Sequence, residues 1–391
     1  MSGPSAGSPT RPVRVAQAVN NLHYGGLERV VQDLIRGFPP GAVENHLVLL
    51  EYEGRFAPDL ADAAQIHLVP QARKLSMIYP AAVAGLLKRI QPDVLHTHSG
   101  VWFKAARAGR AAGVPMLVHT DHGRGIPDPF LHRLFDRMAS RYTDTVVAVS
   151  DSVADTLRAG IVSRDRSLVV IPNGINTDQF RPRHGSLSLR ASLGIPEGVP
   201  LIGSIGRLEP IKNYGLAVRA LAQLLHLWDS EGEEFPMLLL AGDGSERGRL
   251  AELADSLGVG HRVRFLGWRD DVHALFDTFD LFTLSSRSEG TSMSLLEAMS
   301  SGLPCVVTDV GGNRAVLGQA LESALVPSED ADALARAWHR SLLDPDGRRS
   351  FGQRARCRAV ESYSARLMAE RYLALYRNRQ GPAQSPDTLL N

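Results

Sequence analysis

Residues 280–312, DLFTLSSRSEGTSMSLLEAMSSGLPCVVTDVGG, decide the fold class. Asp280 to Ser285 runs into an apolar stretch that suits a buried parallel strand. Ser286 to Ser292 is small and polar, and Gly290 can take a positive φ and let a ligand approach the backbone. Ser292 or Ser294 can cap a helix carrying Leu295, Leu296, Ala298 and Met299, which Gly302 and Pro304 end. Pro304 to Thr308 is the next strand, and Gly311-Gly312 opens another loop. A loop at the carboxyl end of a parallel strand, facing a helix N-terminus, is where open α/β sheets bind anionic ligands. Glu289 in the loop and Glu297 in the helix add carboxylates, which suit hydroxyl-rich groups such as sugar and ribose. The alternative is that Ser294 and Glu297 form only a capping box.

Outward from that stretch, 391 residues are long for one domain and comfortable for two, each with its own core. The hydrophobic fraction of 44% is that of a globular protein, and no run of eighteen apolar residues is present to span a membrane. A net charge of +1 gives no bulk attraction to nucleic acid or anionic lipid. Cys305 and Cys357 are too few for a disulfide framework or a zinc site, and Cys305 reads as a small buried hydrophobe. The start, MSGPSAGSPTRP, lacks the apolar core of a signal peptide, so a reducing cytoplasm is the expected compartment.

The run SEGTSMSLLEAMSSGLPCVVTDVGG closely resembles the glutamate–seven–glutamate motif of family 4 glycosyltransferases, which have two Rossmann-like domains (the GT-B fold) and retain anomeric configuration. The resemblance covers roughly residues 13 to 378. One departure is visible: relatives usually carry a glutamate a few residues after the glycine pair, where this chain has Asn313-Arg314-Ala315. That position is read as structural.

In the N-terminal half, Val13 to Val19 is a strand and Leu27 to Phe38 a helix with Val30, Val31, Leu34 and Ile35 on one face. Gly25-Gly26 therefore sits where a strand hands over to a helix N-terminus, as an anion site or a plain turn. GGLE is similar to the family's glycine loop facing the donor phosphates and acceptor. His96 and His98 alternate at the end of a strand. Without a third ligand they read as a packed or hydrogen-bonded pair rather than a metal site. Pro115 to Thr120 delivers TDHGRG into a loop. Its His122 matches the family histidine that contacts the transferred sugar, while strand alternation turns His119 toward packing. Arg124 in the same loop is placed to reach an anionic acceptor. Pro129 to Tyr142 reads as a helix with Arg133, Arg137 and Arg141 in one stripe beside Phe130, Leu131, Leu134, Phe135 and Met138. This is either a solvated basic face or weak peripheral contact with the inner face of the cytoplasmic membrane.

IPNGINTDQFRP, residues 171–182, resembles the family's crossing segment. In the C-terminal half, GRLEPIKN places Arg207 and Lys212 after a strand and before the helix Tyr214 to Leu227. Arg207 can grip phosphate with a bidentate fork and Lys212 adds a point charge. The sequence matches the family pair that neutralises the donor pyrophosphate. AGDGSERG is not a dinucleotide fingerprint, since Gly248 comes one residue late, and reads as a turn before the helix Ser245 to Leu257. Phe265 to Trp268 is expected to follow the next strand, where the resemblance implies a nucleobase pocket formed largely by backbone groups.

The expectation is two doubly wound α/β domains facing a central cleft: 12–182 on the acceptor side, with helix 364–378 returning to it, and 183–363 for the donor, with tails 1–11 and 380–391. The implied activity is retaining, metal-independent transfer from a nucleoside-diphosphate sugar to a saccharide or lipid-linked saccharide, as in exopolysaccharide assembly. Arg207, Lys212, Glu289 and His122 are the expected catalytic residues. Gly25, Gly26, Gly244, Leu266, Gly290, Thr291, Ser292 and Glu297 are the expected donor-binding ones. No cofactor, metal or nucleic-acid partner is expected. The rivals are a nicotinamide-dependent oxidoreductase, a nucleotide-sugar epimerase of the same shape, and a non-catalytic binding subunit.

Overall fold

The computed structural model describes residues 11–23, 25–69, 80–123, 130–183, 187–228 and 234–378. The charged, glycine-bearing stretch after Phe180, through His184 and Gly185, is expected as a linker; residues 184–186, Arg124 and the segment from 379 onward lie outside the described residues. In chain order the strands and helices are β1 (Val13–Val19), α1 (Gly26–Gly37), β2 (Val43–Leu49), β3 (Gln65–Leu68), α2 (Ala81–Ile90), β4 (Val94–His98), α3 (Trp102–Ala112), β5 (Met116–Asp121), α4 (Phe130–Ser140), β6 (Thr145–Ala148), α5 (Asp151–Gly160) and β7 (Ser167–Val170). There follow α6 (Leu187–Ser192), β8 (Leu201–Ile205), α7 (Tyr214–Leu227), β9 (Met237–Ala241), α8 (Arg247–Ser256), β10 (Val263–Gly267), α9 (Val272–Phe276) and β11 (Leu281–Leu284). The chain ends with α10 (Met293–Ser300), β12 (Cys305–Thr308), α11 (Asn313–Leu317), β13 (Leu325–Val326), α12 (Ala331–Leu342), α13 (Pro345–Tyr363) and α14 (Ala365–Arg377).

The chain divides into two compact units, 1–172 with 365–391, and 173–364. The first holds a seven-stranded parallel sheet in the order β3-β2-β1-β4-β5-β6-β7, and the second a six-stranded parallel sheet in the order β10-β9-β8-β11-β12-β13. Both are doubly wound, Rossmann-like sheets. Each strand order reverses between a pair of adjacent strands, β1/β4 in one unit and β8/β11 in the other. Ligand crevices of open α/β sheets form beside such reversals. Burial on both faces explains why the strands read as near-continuous apolar runs.

Helix α14 belongs with the first unit. It buries Met368, Ala369, Tyr372, Leu373 and Tyr376, and the ring of Tyr376 lies 6.1 Å from that of Phe38 after α1. The expected boundary after residue 182 needs correction, because the division falls after Pro172. Arg356 of α13 explains the difference: its Nη1 donates to the carbonyls of Thr177 and Phe180, each at 2.8 Å. Phe180 sits in the core beside Phe276, and Ile175 bridges to Ser364. The crossing segment is thus tied into the second unit before it reaches α6.

Candidate active site

In the second unit the loop after β8 and the loop after β11 meet at the strand-order reversal. Lys212 Nζ lies 2.7 Å from Glu289 Oε1, and the same oxygen accepts from the Ser286 hydroxyl at 2.6 Å. Their side chains are 20% and 8% exposed, so the pair is largely withdrawn from water. Arg287 straps the two loops together, its amide donating to the Ile211 carbonyl at 2.8 Å and its Nη1 to that of Pro210 at 2.8 Å. Ser285 Oγ donates to the Lys212 carbonyl at 3.1 Å. Arg287 and Asn213 both reach Glu329 Oε1, at 2.6 and 3.2 Å. The backbone under Lys212 is therefore fixed from several sides. Arg207 is exposed, and beside the Ser245 hydroxyl its charge contributes to holding Glu209 below the usual carboxylate range.

Glycines let neighbouring backbones approach this site. A Cβ on Gly242 would fall 2.0 Å from the Gly206 carbonyl oxygen, and one on Gly244 would fall 2.5 Å from that of Leu208. Gly244 thus butts the GDG turn against the Arg207 loop. There Glu209 accepts the Ser245 hydroxyl at 2.8 Å and is held below the usual carboxylate range by it. Gly311 takes φ +52 with its Cβ position 1.8 Å from the Glu289 carbonyl oxygen, which also accepts the Gly312 amide at 3.2 Å. The glycine pair that opens the loop after β12 is what supports Glu289 from behind.

Ser292 caps α10, accepting the Leu295 amide at 3.4 Å. The capping-box alternative for Ser294 and Glu297 is therefore corrected: Ser294 already lies inside the helix, and Glu297 sits more than a turn in, buried, at 7% exposure. Thr291 is buried and Gly290 half-buried in the same loop. Leu266 lies within β10, packed against the core, so Phe265 and Leu266 belong to that strand rather than following it. Cys305 is buried, which pushes its thiol far up. Among the described residues no group of three or more His, Cys, Asp or Glu side chains could hold a metal ion.

In the first unit Gly25 precedes α1, and a Cβ there would lie 2.2 Å from a Glu28 carboxylate oxygen, so that carboxylate folds over the helix start. Gly26 is exposed in the first turn. His122 follows β5, with Nε2 3.0 Å from Nδ1 of His98 and its amide donating to Ser99 Oγ at 3.1 Å. His98 Nε2 meets Gln17 Oε1 at 3.0 Å, and His96 meets Tyr376 at 2.6 Å and Thr120 at 2.7 Å. His96 and His98 are buried and pack ring to ring, with centroids 4.2 Å apart, each hydrogen-bonded to other residues and held well below the ordinary histidine range by burial and by neighbouring imidazoles. His119 points to the opposite face and stacks on Trp102, with centroids 3.8 Å apart.

The stripe on α4 is corrected in part. Arg137 donates twice to the Gly160 carbonyl, at 3.0 and 2.7 Å, and Arg133 stands beside the same glycine. Both cations are turned onto the carboxyl end of α5, where the helix dipole favours them. Beside the exposed His132, Arg133 and Arg137, α4 leaves apolar side chains to solvent: Phe130 is 76% and Leu131 61% exposed, with Leu134 and Met138 also exposed. No helix among the described residues is long and apolar enough to cross a membrane.

Gln17, Ser286, Arg287, Tyr372 and Tyr376 were not legible as site residues. The alternation of His96 with His98 and of Thr120 with His122 was a signal for part of this group, since every second residue of a strand shares a face.

Two family models match the chain. Residues 24–179 match Glycosyltransferase Family 4 and residues 187–358 match Glycosyl transferases group 1. The chain is 30% identical to the 2-deoxystreptamine N-acetyl-D-glucosaminyltransferase of Streptomyces fradiae, over 77% of this chain and 75% of that one. It is 26% identical to the UDP-Gal:alpha-D-GlcNAc-diphosphoundecaprenol alpha-1,3-galactosyltransferase of Escherichia coli, over 82% and 85%. Among solved structures, Anabaena Alr3699/HepE in complex with UDP and glucose superposes with a TM-score of 0.77 at 21% identity, covering 93% of this chain and 99% of that one. The fold is GT-B and the protein is a glycosyltransferase. The chain belongs to the group 1 glycosyl transferases, with an N-terminal half of family 4.

Proposed function

We propose that the protein transfers a sugar from a nucleoside-diphosphate donor to a saccharide or lipid-linked saccharide, with retention and without a metal, in exopolysaccharide or cell-surface glycan assembly. The observation that carries this reading is the Lys212–Glu289 pair at the β8/β11 reversal, with the exposed Arg207 in the same loop as Lys212. Cleaving the anomeric bond leaves positive charge on the sugar and negative charge on the departing diphosphate. Arg207 and Lys212 supply fixed positive charge for the latter, helped by the N-terminus of α10 behind Gly290, Thr291 and Ser292 and by the Gly25-Gly26 amides. On donor binding Lys212 exchanges Glu289 for phosphate oxygens, and Glu289 turns to the sugar hydroxyls. Glu297 takes the ribose hydroxyls, His122 contacts the sugar, and the backbone at Gly244 and Leu266 receives the nucleotide.

The E. coli relative is named for an acceptor on a diphosphoundecaprenol carrier, which supports a lipid-linked acceptor here. The exposed Phe130, Leu131 and Leu134 on α4, next to Arg141, support weak peripheral contact with the inner face of the cytoplasmic membrane. The test is transfer from UDP-, GDP- and ADP-sugars in EDTA, with the new linkage read by NMR. Transfer that persists and keeps the donor's anomeric configuration is expected. A strict metal requirement or an inverted product would overturn those terms.

A further inference from the structure

We infer that a directed chain of buried hydrogen bonds in the N-terminal unit fixes which ring nitrogen of His122 carries the proton, and that Gln17 and Tyr376 are positioning residues for that histidine. The parallel register puts the participants on one face of the sheet: Gln17 is level with His96, and His98 is level with Thr120. Helix α14 then lays Tyr372 and Tyr376 over that face. From His122 the links run to His98 at 3.0 Å, Gln17 at 3.0 Å, Tyr376 at 3.4 Å, His96 at 2.6 Å, Thr120 at 2.7 Å and Tyr372 at 2.8 Å. Every member after His122 is no more than 2% exposed, so water does not compete for the links beyond His98, while the His98–His122 link is partly buried.

The direction follows from chemistry. A neutral imidazole has one donor and one acceptor nitrogen, and burial keeps His96 and His98 neutral. The Gln17 amide oxygen faces His98 Nε2 and only accepts, so that nitrogen holds the hydrogen. His98 Nδ1 is then an acceptor, and His122 Nε2 must donate to it. On the other side the Gln17 amide N–H donates to Tyr376, whose hydroxyl hydrogen goes to His96 Nδ1. His96 Nε2–H donates to Thr120, and Thr120 to Tyr372. Each link has one hydrogen and one lone pair, with none doubled and none missing. Turning the Gln17 amide by half a revolution reverses every link and moves the proton of His122 to Nδ1. The orientation of the Gln17 amide therefore selects the tautomer.

With the proton on Nε2, Nδ1 of His122 is the acceptor for any hydroxyl that reaches it. The consequence for transfer rests on the reading of His122 as a sugar contact, but the tautomer itself does not. It is measurable in the full-length protein without ligand, from two-bond proton–nitrogen spectra of 15N-histidine-labelled material, with His122→Gln for assignment. The wild type should show His122 as the Nε2–H form. Tyr376→Phe and Gln17→Met, both close in volume, should shift the tautomer ratio about fivefold toward Nδ1–H, the worth of one net hydrogen bond. An Nδ1–H form in the wild type, or an unchanged ratio in a folded variant, would overturn the chain. If neither variant folds, the wild-type spectrum decides alone. In the transfer assay both variants should lower kcat with little change in KM. Full activity in His122→Ala would instead overturn the sugar contact and leave the tautomer result standing.

Discussion

Replacing Lys212 by Met removes the ammonium while keeping most of its stem. Glu289 is left at 8% side-chain exposure with the Ser286 hydroxyl, at 2.6 Å, as its remaining side-chain donor. Removing one partner of a buried ion pair costs about 3–5 kcal/mol, because the other charge stays buried and uncompensated. Lys212 is 20% exposed, so water relieves part of this and the lower end, about 3 kcal/mol, is expected. Adding Glu289→Gln should recover much of the loss, since the buried charge goes with it. Urea unfolding followed by tryptophan fluorescence reports on this unit through Trp228, Trp268 and Trp338. A Lys212→Met protein within about 0.5 kcal/mol of the wild type, the range of an ordinary surface change, would refute the reasoning. So would a double variant less stable than the single one. Catalysis reads the same residue differently: losing one donor to the developing oxyanion should cost about 2.7–4 kcal/mol of transition-state stabilisation.

His96 and His98 are fully buried and held below the ordinary histidine value of 6.5, so the unfolded chain binds more protons than the folded one once the pH drops below that value. Stability is fully present above pH 6.5 and falls below it by about 1.4 kcal/mol per histidine per pH unit. Melting curves between pH 7 and 5.5 should show the fall, and His96→Gln should flatten it. Gly311→Ala places a Cβ 1.8 Å from the Glu289 carbonyl oxygen at φ +52, so the loop must move. A stability loss above about 1 kcal/mol is expected in denaturant titrations, with weaker donor binding. Vesicles carrying anionic lipid should retain the protein at low salt, and Phe130→Ser with Leu131→Ser should release it. Equal retention of both proteins would count against the α4 face.

The α/β architecture was legible because the strands are buried on both faces and read as apolar runs ending in Gly, Ser or Asn loops, as in Asp280 to Ser292. Helix α3 was not, since Trp102, Phe103 and a series of alanines give a weak helical pattern that its packing on β4 and β5 decides. The boundary near Pro172 was misplaced because Arg356, far along the chain, ties down residues 177 and 180. Motif residues such as Lys212 and Glu289 stood out by type and position. Their supports did not: Arg287 reads as an ordinary loop cation until its bonds to the Pro210 and Ile211 carbonyls are seen. Tyr372 and Tyr376 read as apolar positions of a closing helix, and only the register of β1, β4 and β5 beneath them turns their hydroxyls into links of a chain.

The central claim is a nucleotide-sugar site built on Arg207, Lys212 and Glu289. A metal-free thermal-shift panel with UDP, GDP, ADP, their sugar conjugates and NAD addresses it most directly. A ligand at a hundred times its dissociation constant stabilises by about 2.7 kcal/mol, enough to move a melting curve clearly. One nucleoside-diphosphate family should shift the wild type, and the shift should vanish in Arg207→Ala. A shift with NAD alone, or an undiminished shift in Arg207→Ala, would contradict it.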